Sequence, residues 1–142
     1  MPADPTRGLL DTNIVILRHG IDPVELPDEL AISAVTLAEL SAGVHLVSGD
    51  SAEAIEERAR RADVLQRAEN EFDPIPFEVE SARAFGRISA AVQARGRTPR
   101  RRVADLMIAS TAAAAGLPLY TTNPADFDGL DGIVRVIPVS RP

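Results

Sequence analysis

The sequence predicts an α/β fold of three layers, in which helices cover both faces of a central parallel sheet. Short apolar segments typical of strands alternate with segments whose apolar residues recur at helical spacing. This alternation favours a parallel sheet, because each crossover helix packs onto one face. No internal repeat interrupts it. We therefore expect a single domain over residues 1–142, with residues 1–6 as a flexible N-terminal tail.

Five segments are predicted to be strands. Each is short and apolar, and residues that favour turns lie close to most of them. The third candidate differs from the others because prolines flank it. In chain order the segments are RGLLD at 7–11, LAIS at 30–33, DPIPF at 73–77, LPLYTT at 117–122 and IVRVIPV at 133–139.

The intervening segments predict helices. Residues 12–20 form a short helical or turn segment that Gly20 closes, and a longer helix is expected over 34–47. Asp50 and Glu53 have the spacing of a capping pair at the start of the next helix. Two further helices are expected over 78–94 and 103–115, where glycines at 96 and 116 mark the ends.

Composition excludes several classes of function. The formal net charge is −6, so the chain as a whole does not attract nucleic acid. To bind a phosphodiester it would need a local basic patch or metal ions. There is no cysteine, which excludes disulfides and thiolate chemistry and suits a reducing cytoplasm. No apolar run resembles a signal peptide or a membrane span, so we expect a cytoplasmic protein with no membrane partner.

Four acidic residues from distant segments are predicted to meet at one edge of the sheet. Asp11 directly follows the first strand, and Asp126 follows the strand at 117–122. Glu39 lies in the first turns of the helix after the second strand, so it is also located at this edge. Asp105 lies near the start of a helix that leads into a strand, and in right-handed crossovers that start also lies at this edge. Ligands of open α/β sheets bind there.

These four carboxylates predict a site for a divalent cation. Carboxylates within a few ångströms repel one another, and a cation removes the conflict. Oxygen ligands select hard ions such as Mg²⁺ or Mn²⁺. Such an ion can activate water and neutralise charge on a phosphoryl oxygen, so we expect phosphodiester cleavage. Neighbouring polar side chains are suited to hold these ligands in place: Thr12, Asn13, Thr121, Thr122 and Asn123.

Four motifs stand in order along nearly the whole chain. They are LLDTNIVI around Asp11, SAVTLAELSAGV around Glu39, VADLMIASTAAAAGLPLYTTNPADF around Asp105 and Asp126, and a C-terminal apolar strand. Together they resemble the PIN-domain ribonucleases, specifically the VapC toxins of VapBC toxin–antitoxin pairs. Any one motif would be weak evidence, whereas four in this order are specific.

The resemblance implies a PIN-like fold with a central five-stranded parallel sheet and Mg²⁺- or Mn²⁺-dependent endonucleolytic cleavage of RNA. Asp11, Glu39, Asp105 and Asp126 match the acidic quartet of the family, with Asp11 and Asp105 as direct metal ligands. Asp128 lies close enough to Asp126 to be the alternative fourth acid. The family also implies a VapB-type antitoxin that blocks the site, and a homodimer.

An arginine-rich loop precedes the helix of Asp105. It contains Arg95, Arg97 and the run Arg100, Arg101 and Arg102, and the predicted topology brings it to the same edge. Arginine binds phosphate bidentately, so Arg100 to Arg102 are the candidate RNA-binding residues. A solvated charge run is the alternative explanation.

Each acid also has a purely structural explanation when taken alone. Asp11 could cap a helix, and Glu39 could be a solvated helix residue. Asp105 could offset a helix dipole, and Asp126 could be a turn residue. Their joint arrangement favours a site. If each acid had a separate structural role, four independent coincidences would be needed to place them at one edge.

Other functions remain as alternatives or are excluded by single residues. A haloacid dehalogenase-type phosphatase needs a second aspartate two positions after the first, where this chain has Asn13. That class and phospho-acceptor receiver domains also need a lysine, and this sequence contains none. The alternative that stays open is a PIN-like fold that acts only as a binding module, without catalysis.

Overall fold

The computed structural model of the chain describes residues 6–142, apart from the side chain of Arg101. Within this part, one sheet is formed with the strand order β2-β1-β3-β4, and each neighbouring pair is parallel. The predicted parallel α/β fold is therefore confirmed. The strands are β1 (Arg7–Leu10), β2 (Glu29–Ala31), β3 (Leu119–Thr121) and β4 (Val136–Pro138).

The α-helices of the described residues follow the predicted order. Gly116 ends the last helix with a φ of 68°, the left-handed conformation that favours glycine. The cap of the third helix differs from the prediction, because the hydroxyl of Ser51, not Asp50, accepts the N–H of Ala54. The helices are α1 (Thr12–Leu17), α2 (Ala34–His45), α3 (Ala52–Glu71), α4 (Val79–Ala94) and α5 (Val103–Ala115).

Two apolar cores cover the two faces of the sheet. Leu9 and Leu119 pack into a core that includes residues of α4 and α5, such as Ile88 and Leu106. The next residue along each strand, Leu10 or Tyr120, enters a second core with residues of α1, α2 and α3. Because successive strand side chains point to opposite faces, helices shield both sides. The predicted three-layer arrangement is confirmed.

The prediction of a fifth strand is wrong for the segment DPIPF. Ile75 forms only an isolated parallel bridge with Ser33. Its N–H donates to the carbonyl of Ile32 at 2.9 Å, and its carbonyl accepts the N–H of Ala34 at 2.9 Å. Pro74 and Pro76 flank it, and proline has no N–H with which to extend a ladder. The sheet of the described residues therefore has four strands.

The start of the described chain is attached to the loop before β2. The backbone N–H of Thr6 donates to Oδ2 of Asp28 at 2.9 Å, and its hydroxyl accepts the N–H of Asp28 at 3.0 Å. The rest of the predicted N-terminal tail, residues 1–5, lies outside the described residues. Among the helices described here, none is long and apolar enough to cross a membrane.

The strand order creates a switch point at β1. The chain places β2 on one side of β1 and β3 on the other. Ligands of open parallel sheets bind at the carboxyl ends of the strands beside such a point. Asp11 directly follows β1 and Thr121 ends β3, so both residues lie at this position.

Candidate metal centre

Asp11 is held in a buried position at the end of β1. The residue is 4% exposed. Oδ1 accepts the backbone N–H of Thr12 at 2.9 Å, so Asp11 caps α1, as its structural explanation proposed. Oδ2 accepts the hydroxyl of Thr121 at 2.9 Å. A carboxylate has about four lone-pair positions, so these two bonds leave capacity for a further ligand.

The direction of the Thr121 hydroxyl follows from its second partner. The backbone N–H of Asn123 donates to Oγ1 of Thr121 at 3.0 Å, so the hydroxyl hydrogen is free to point at Asp11. Thr121 is fully buried. Asn123 thus supports the site through its backbone, whereas the sequence suggested a role for its side-chain amide.

Glu39 is held by a chain of hydroxyl groups. The hydroxyl of Thr12 donates to Oε1 of Glu39 at 2.7 Å, and its oxygen lies 3.0 Å from the hydroxyl of Thr36. Thr12 has one hydroxyl hydrogen, which Glu39 receives, so Thr36 acts as the donor to Thr12. Thr36 is fully buried and precedes Glu39 by three residues on α2. The motif SAVTLAELSAGV contains Thr36, but the sequence assigned this residue no role.

Asp105 lies in the first turn of α5 and lines the same groove as Asp11 and Glu39. Burial raises the pKa of Asp105, and the negative charges of Asp11 and Asp126 raise it further. The positive charge of Arg102 acts in the opposite direction. Asp105 therefore lies in an environment that disfavours its ionised form.

The surroundings of Asp11 also disfavour its ionised form. Burial raises the pKa of Asp11, with smaller contributions from the charges of Glu39 and Asp126. The hydrogen bonds from Thr121 and Thr12 oppose that shift. The charges of Glu39 and Asp126 thus act on Asp11, and those of Asp11 and Asp126 act on Asp105, although these residues come from four separate segments.

Asp126 lies in a 3₁₀ turn, Pro124–Phe127, after β3. Its Oδ1 accepts Nη2 of Arg102 at 2.9 Å, and its carbonyl accepts Nη1 of Arg102 at 2.6 Å. Asp128 is exposed and pairs with Arg95 at 3.3 Å. Of the two candidate fourth acids, Asp126 is the one whose charge raises the pKa values of Asp11 and Asp105.

Most of the described arginines near the start of α5 bind the turn after β3. Besides Arg102, Nη1 of Arg97 donates to the carbonyl of Ala125 at 2.8 Å, and Arg95 pairs with Asp128. Arg100 is exposed, and the side chain of Arg101 lies outside the described residues. The predicted RNA-binding group is thus divided, because Arg102 already holds Asp126.

The remaining predicted supporting residues differ in position. Asn13 lines the groove beside Asp11. Thr122 is half-buried, and within the described part of the chain its hydroxyl oxygen is buried without a hydrogen-bond partner. Thr12 and Thr121 are therefore the two of the five whose side chains contact a carboxylate of the group.

A groove of about 650 Å³ connects the acids to α3. Asp11 after β1, Glu39 of α2 and Asp105 of α5 line it, and Glu57, Arg60 and Arg61 contribute from α3. Arg60 and Arg61 follow Glu57 by three and four residues, a spacing that favours ion pairs along one helix. This spacing could not show that they line the same groove as the carboxylates, so the sequence missed these residues.

The donor chemistry of the site fits a hard divalent cation. Within the described residues, no three acidic or histidine side chains already form a group that could hold a metal. However, neither Asp11 nor Asp105 forms an ion pair with a described arginine. Burial raises the pKa of both carboxyl groups, and neighbouring carboxylates raise it further, so a cation bound by oxygen ligands would stabilise their ionised forms.

Comparison with known families identifies the family of this chain. Residues 9–133 match the PIN domain family. This chain belongs to the PIN domain family. The predicted family resemblance is therefore confirmed, and the PIN domain match spans all four acids.

Individual relatives place this PIN domain beside the VapC proteins. It is 34% identical over 139 residues to Ribonuclease VapC5 of Mycobacterium tuberculosis, covering 96% of each chain. It is 37% identical over 106 residues to Ribonuclease VapC8 of the same species, covering 74% of this chain and 89% of that protein. The crystal structure of VapBC-5, a member of the VapBC family of toxin–antitoxin systems from Mycobacterium tuberculosis, superposes with a TM-score of 0.77. In that comparison the identity is 32%, and the match covers 96% of this chain and 99% of the other.

Proposed function

We propose that this PIN domain is a metal-dependent endoribonuclease and the toxin component of a VapBC-type, type II toxin–antitoxin pair. The observation that carries the proposal is the groove at the switch point of the sheet, which Asp11, Glu39 and Asp105 line together. Identity of 34% along nearly the whole chain to a protein named Ribonuclease VapC5 supports RNA as the substrate.

Asp11 and Asp105 are the proposed metal ligands, and Glu39 and Asp126 complete the acidic group. A bound Mg²⁺ or Mn²⁺ would lower the pKa of a water molecule and neutralise charge on a phosphoryl oxygen. The protein contributes orientation, because Thr121 and the N–H of Thr12 hold the carboxylate of Asp11 from two directions. The hydroxyl of Thr12 holds Glu39 in the same way.

The proposed partners follow from the same relatives. The VapBC-5 structure contains a toxin–antitoxin system, which supports a VapB-type antitoxin for this chain. We propose that the antitoxin neutralises the enzyme by covering the groove, and that both act in the cytoplasm, where RNA is present. A homodimer is proposed as well, and light scattering on the purified chain would measure it.

A cleavage assay tests the catalytic proposal against the alternative of a silent binding module. A labelled structured RNA should be cut in Mg²⁺ or Mn²⁺, and cutting should stop in EDTA. The Asp11→Asn variant should also be inactive, because it removes a charged ligand. Asp131→Asn, at an exposed position away from the groove, is the matched control and should cut normally. RNA binding without metal-dependent cleavage would favour the module instead.

A further inference from the structure

The α3 side of the groove carries two consecutive arginines that share one carboxylate. Oε2 of Glu57 accepts Nη2 of Arg60 at 2.6 Å and Nε at 3.2 Å. Oε1 of Glu57 accepts Nε of Arg61 at 2.8 Å. Nη1 of Arg61 also donates to the carbonyl of Gly43 at 2.8 Å. Glu57 thereby holds both guanidinium groups beside the groove.

Both arginines can exchange Glu57 for another anion. The side chains of Arg60 and Arg61 are 64% and 44% exposed, and that of Glu57 is 37% exposed. Exposed ion pairs contribute little to stability, so replacing them is inexpensive. A guanidinium group has five N–H donors, and the bonds to Glu57 and Gly43 leave several unused. These donors match a phosphate group, which arginine binds bidentately.

The same groove contains the carboxylates of Asp11, Glu39 and Asp105. A phosphodiester that shares a cation with these acids would extend along the groove, and its neighbouring phosphates would then need positive partners. The chain carries a net charge of −6, so such partners must be local. Arg60 and Arg61 are the described arginines that line this groove.

We propose that Arg60 and Arg61 bind the RNA phosphates adjacent to the cleaved bond, and that Glu57 orients both arginines until RNA displaces it. This inference rests on the proposed endoribonuclease function. It assigns the grip on the RNA backbone to α3, whereas the sequence suggested the loop before α5. An acidic peptide fits less well, because its carboxylates would meet the acids of the same groove.

Salt-dependent RNA binding tests the inference. A short fluorescein-labelled single-stranded RNA is titrated with the full chain in Ca²⁺, and the anisotropy is followed at several salt concentrations. Each phosphate contact on a single strand contributes about 0.7 to the slope of log K against log salt, so two contacts contribute about 1.4. The double variant Arg60→Gln with Arg61→Gln should weaken binding and flatten the slope by about that amount.

The control removes two arginines of α4. Arg83 pairs with Glu80 three residues earlier, as Arg60 does with Glu57, and Arg87 is exposed. Neither of them lines the groove. The double variant Arg83→Gln with Arg87→Gln changes the net charge equally and should leave the slope unchanged. Equal slopes for the two double variants would overturn the inference.

Two further variants separate phosphate binding from a structural role. Glu57→Gln releases both arginines and should tighten RNA binding, whereas weaker binding would overturn the proposal. Arg60→Lys with Arg61→Lys keeps the charge and should retain the slope with lower affinity. This lysine pair also tests the proposal if the glutamine pair fails to fold.

The remaining outcomes distinguish this inference from the proposed function. If the variant Arg60→Gln with Arg61→Gln loses a co-purifying antitoxin but binds RNA unchanged, the inference is overturned in favour of a protein contact. If the unmodified chain fails to cut RNA in Mg²⁺ or Mn²⁺ while the arginine variants still flatten the slope, the catalytic proposal fails and the binding inference stands.

Discussion

Thr121 donates its hydroxyl hydrogen to Oδ2 of Asp11 over 2.9 Å, across a sequence separation of 110 residues. The bond joins the end of β3 to the residue after β1, and these two strands are neighbours in the sheet. The position of the most buried acid of the group therefore depends on the pairing of two distant strands. Predictions about metal binding can be tested through this contact.

We expect Thr121→Val to weaken Mn²⁺ binding by about 10- to 100-fold, because a residue that orients a metal ligand is lost. The free energy of unfolding should fall by about 1–3 kcal/mol, since a buried carboxylate oxygen loses its donor. Calorimetric Mn²⁺ titration and urea denaturation measure the two effects.

Thr111→Val is the matched control for Thr121→Val. Thr111 is also buried, and its hydroxyl donates to the carbonyl of Met107 within α5 at 2.9 Å. This variant should lose stability with little change in Mn²⁺ affinity. Equal losses of affinity in both variants would contradict the proposed role of Thr121.

The raised pKa of Asp11 predicts a specific pH dependence. Its pKa is higher in the folded than in the unfolded chain, so the unfolded state releases its proton first as pH rises. Stability is therefore lost between the ordinary aspartate value, about 3.9, and the folded pKa. Without metal, the stability of Asp11→Asn relative to the unmodified chain should increase across this window. Thermal melting at several pH values measures the difference, and Mn²⁺ should abolish it.

Glu57→Gln is the control, because its relative stability should change with pH in the opposite direction to that of Asp11→Asn. Hydrogen bonds from Arg60 and Arg61 lower the pKa of Glu57, so its contribution to stability is present above the unfolded pKa and is lost as pH falls. The stability of Glu57→Gln relative to the unmodified chain should therefore decrease as pH rises. If the relative stabilities of both variants change in the same direction with pH, the proposed upward shift in the pKa of Asp11 is wrong.

The hydroxyl chain from Thr36 through Thr12 to Glu39 predicts a kinetic effect. Thr36→Val removes the donor that fixes Thr12, so Glu39 loses its orientation. We expect kcat for RNA cleavage to fall about tenfold with KM nearly unchanged. Thr36→Ser restores the hydroxyl without the methyl group and should recover most of the rate. If serine is as poor as valine, Thr36 contributes packing alone.

The fourth acid can be identified by comparing two neighbouring aspartates. The charge of Asp126 raises the pKa values of Asp11 and Asp105, whereas Asp128 is exposed and pairs with Arg95. We expect Asp126→Asn to weaken Mn²⁺ binding about tenfold or more, and Asp128→Asn to leave it nearly unchanged. The reverse order in a Mn²⁺ titration would assign the position to Asp128.

Several features of this fold could be predicted because their causes are local. Alternating strands and helices follow from the spacing of apolar residues, and the end of α5 follows from the left-handed conformation of Gly116. The placement of Asp11 and Asp105 at one edge follows from the handedness of crossover connections. The error over DPIPF was also local in origin, because the prolines on both sides of Ile75 prevent a ladder.

The sequence by itself determined the order of the elements, the family of the chain and the edge of the sheet to which the acids belong. Only the tertiary structure decided the partner of each polar group: Thr121 for Asp11, Thr36 for Thr12, Arg102 for Asp126. It also decided which residues of α3 line the groove. The physical reason is distance, since a hydrogen bond requires two atoms within about 3 Å. Packing of segments far apart in the chain sets that distance.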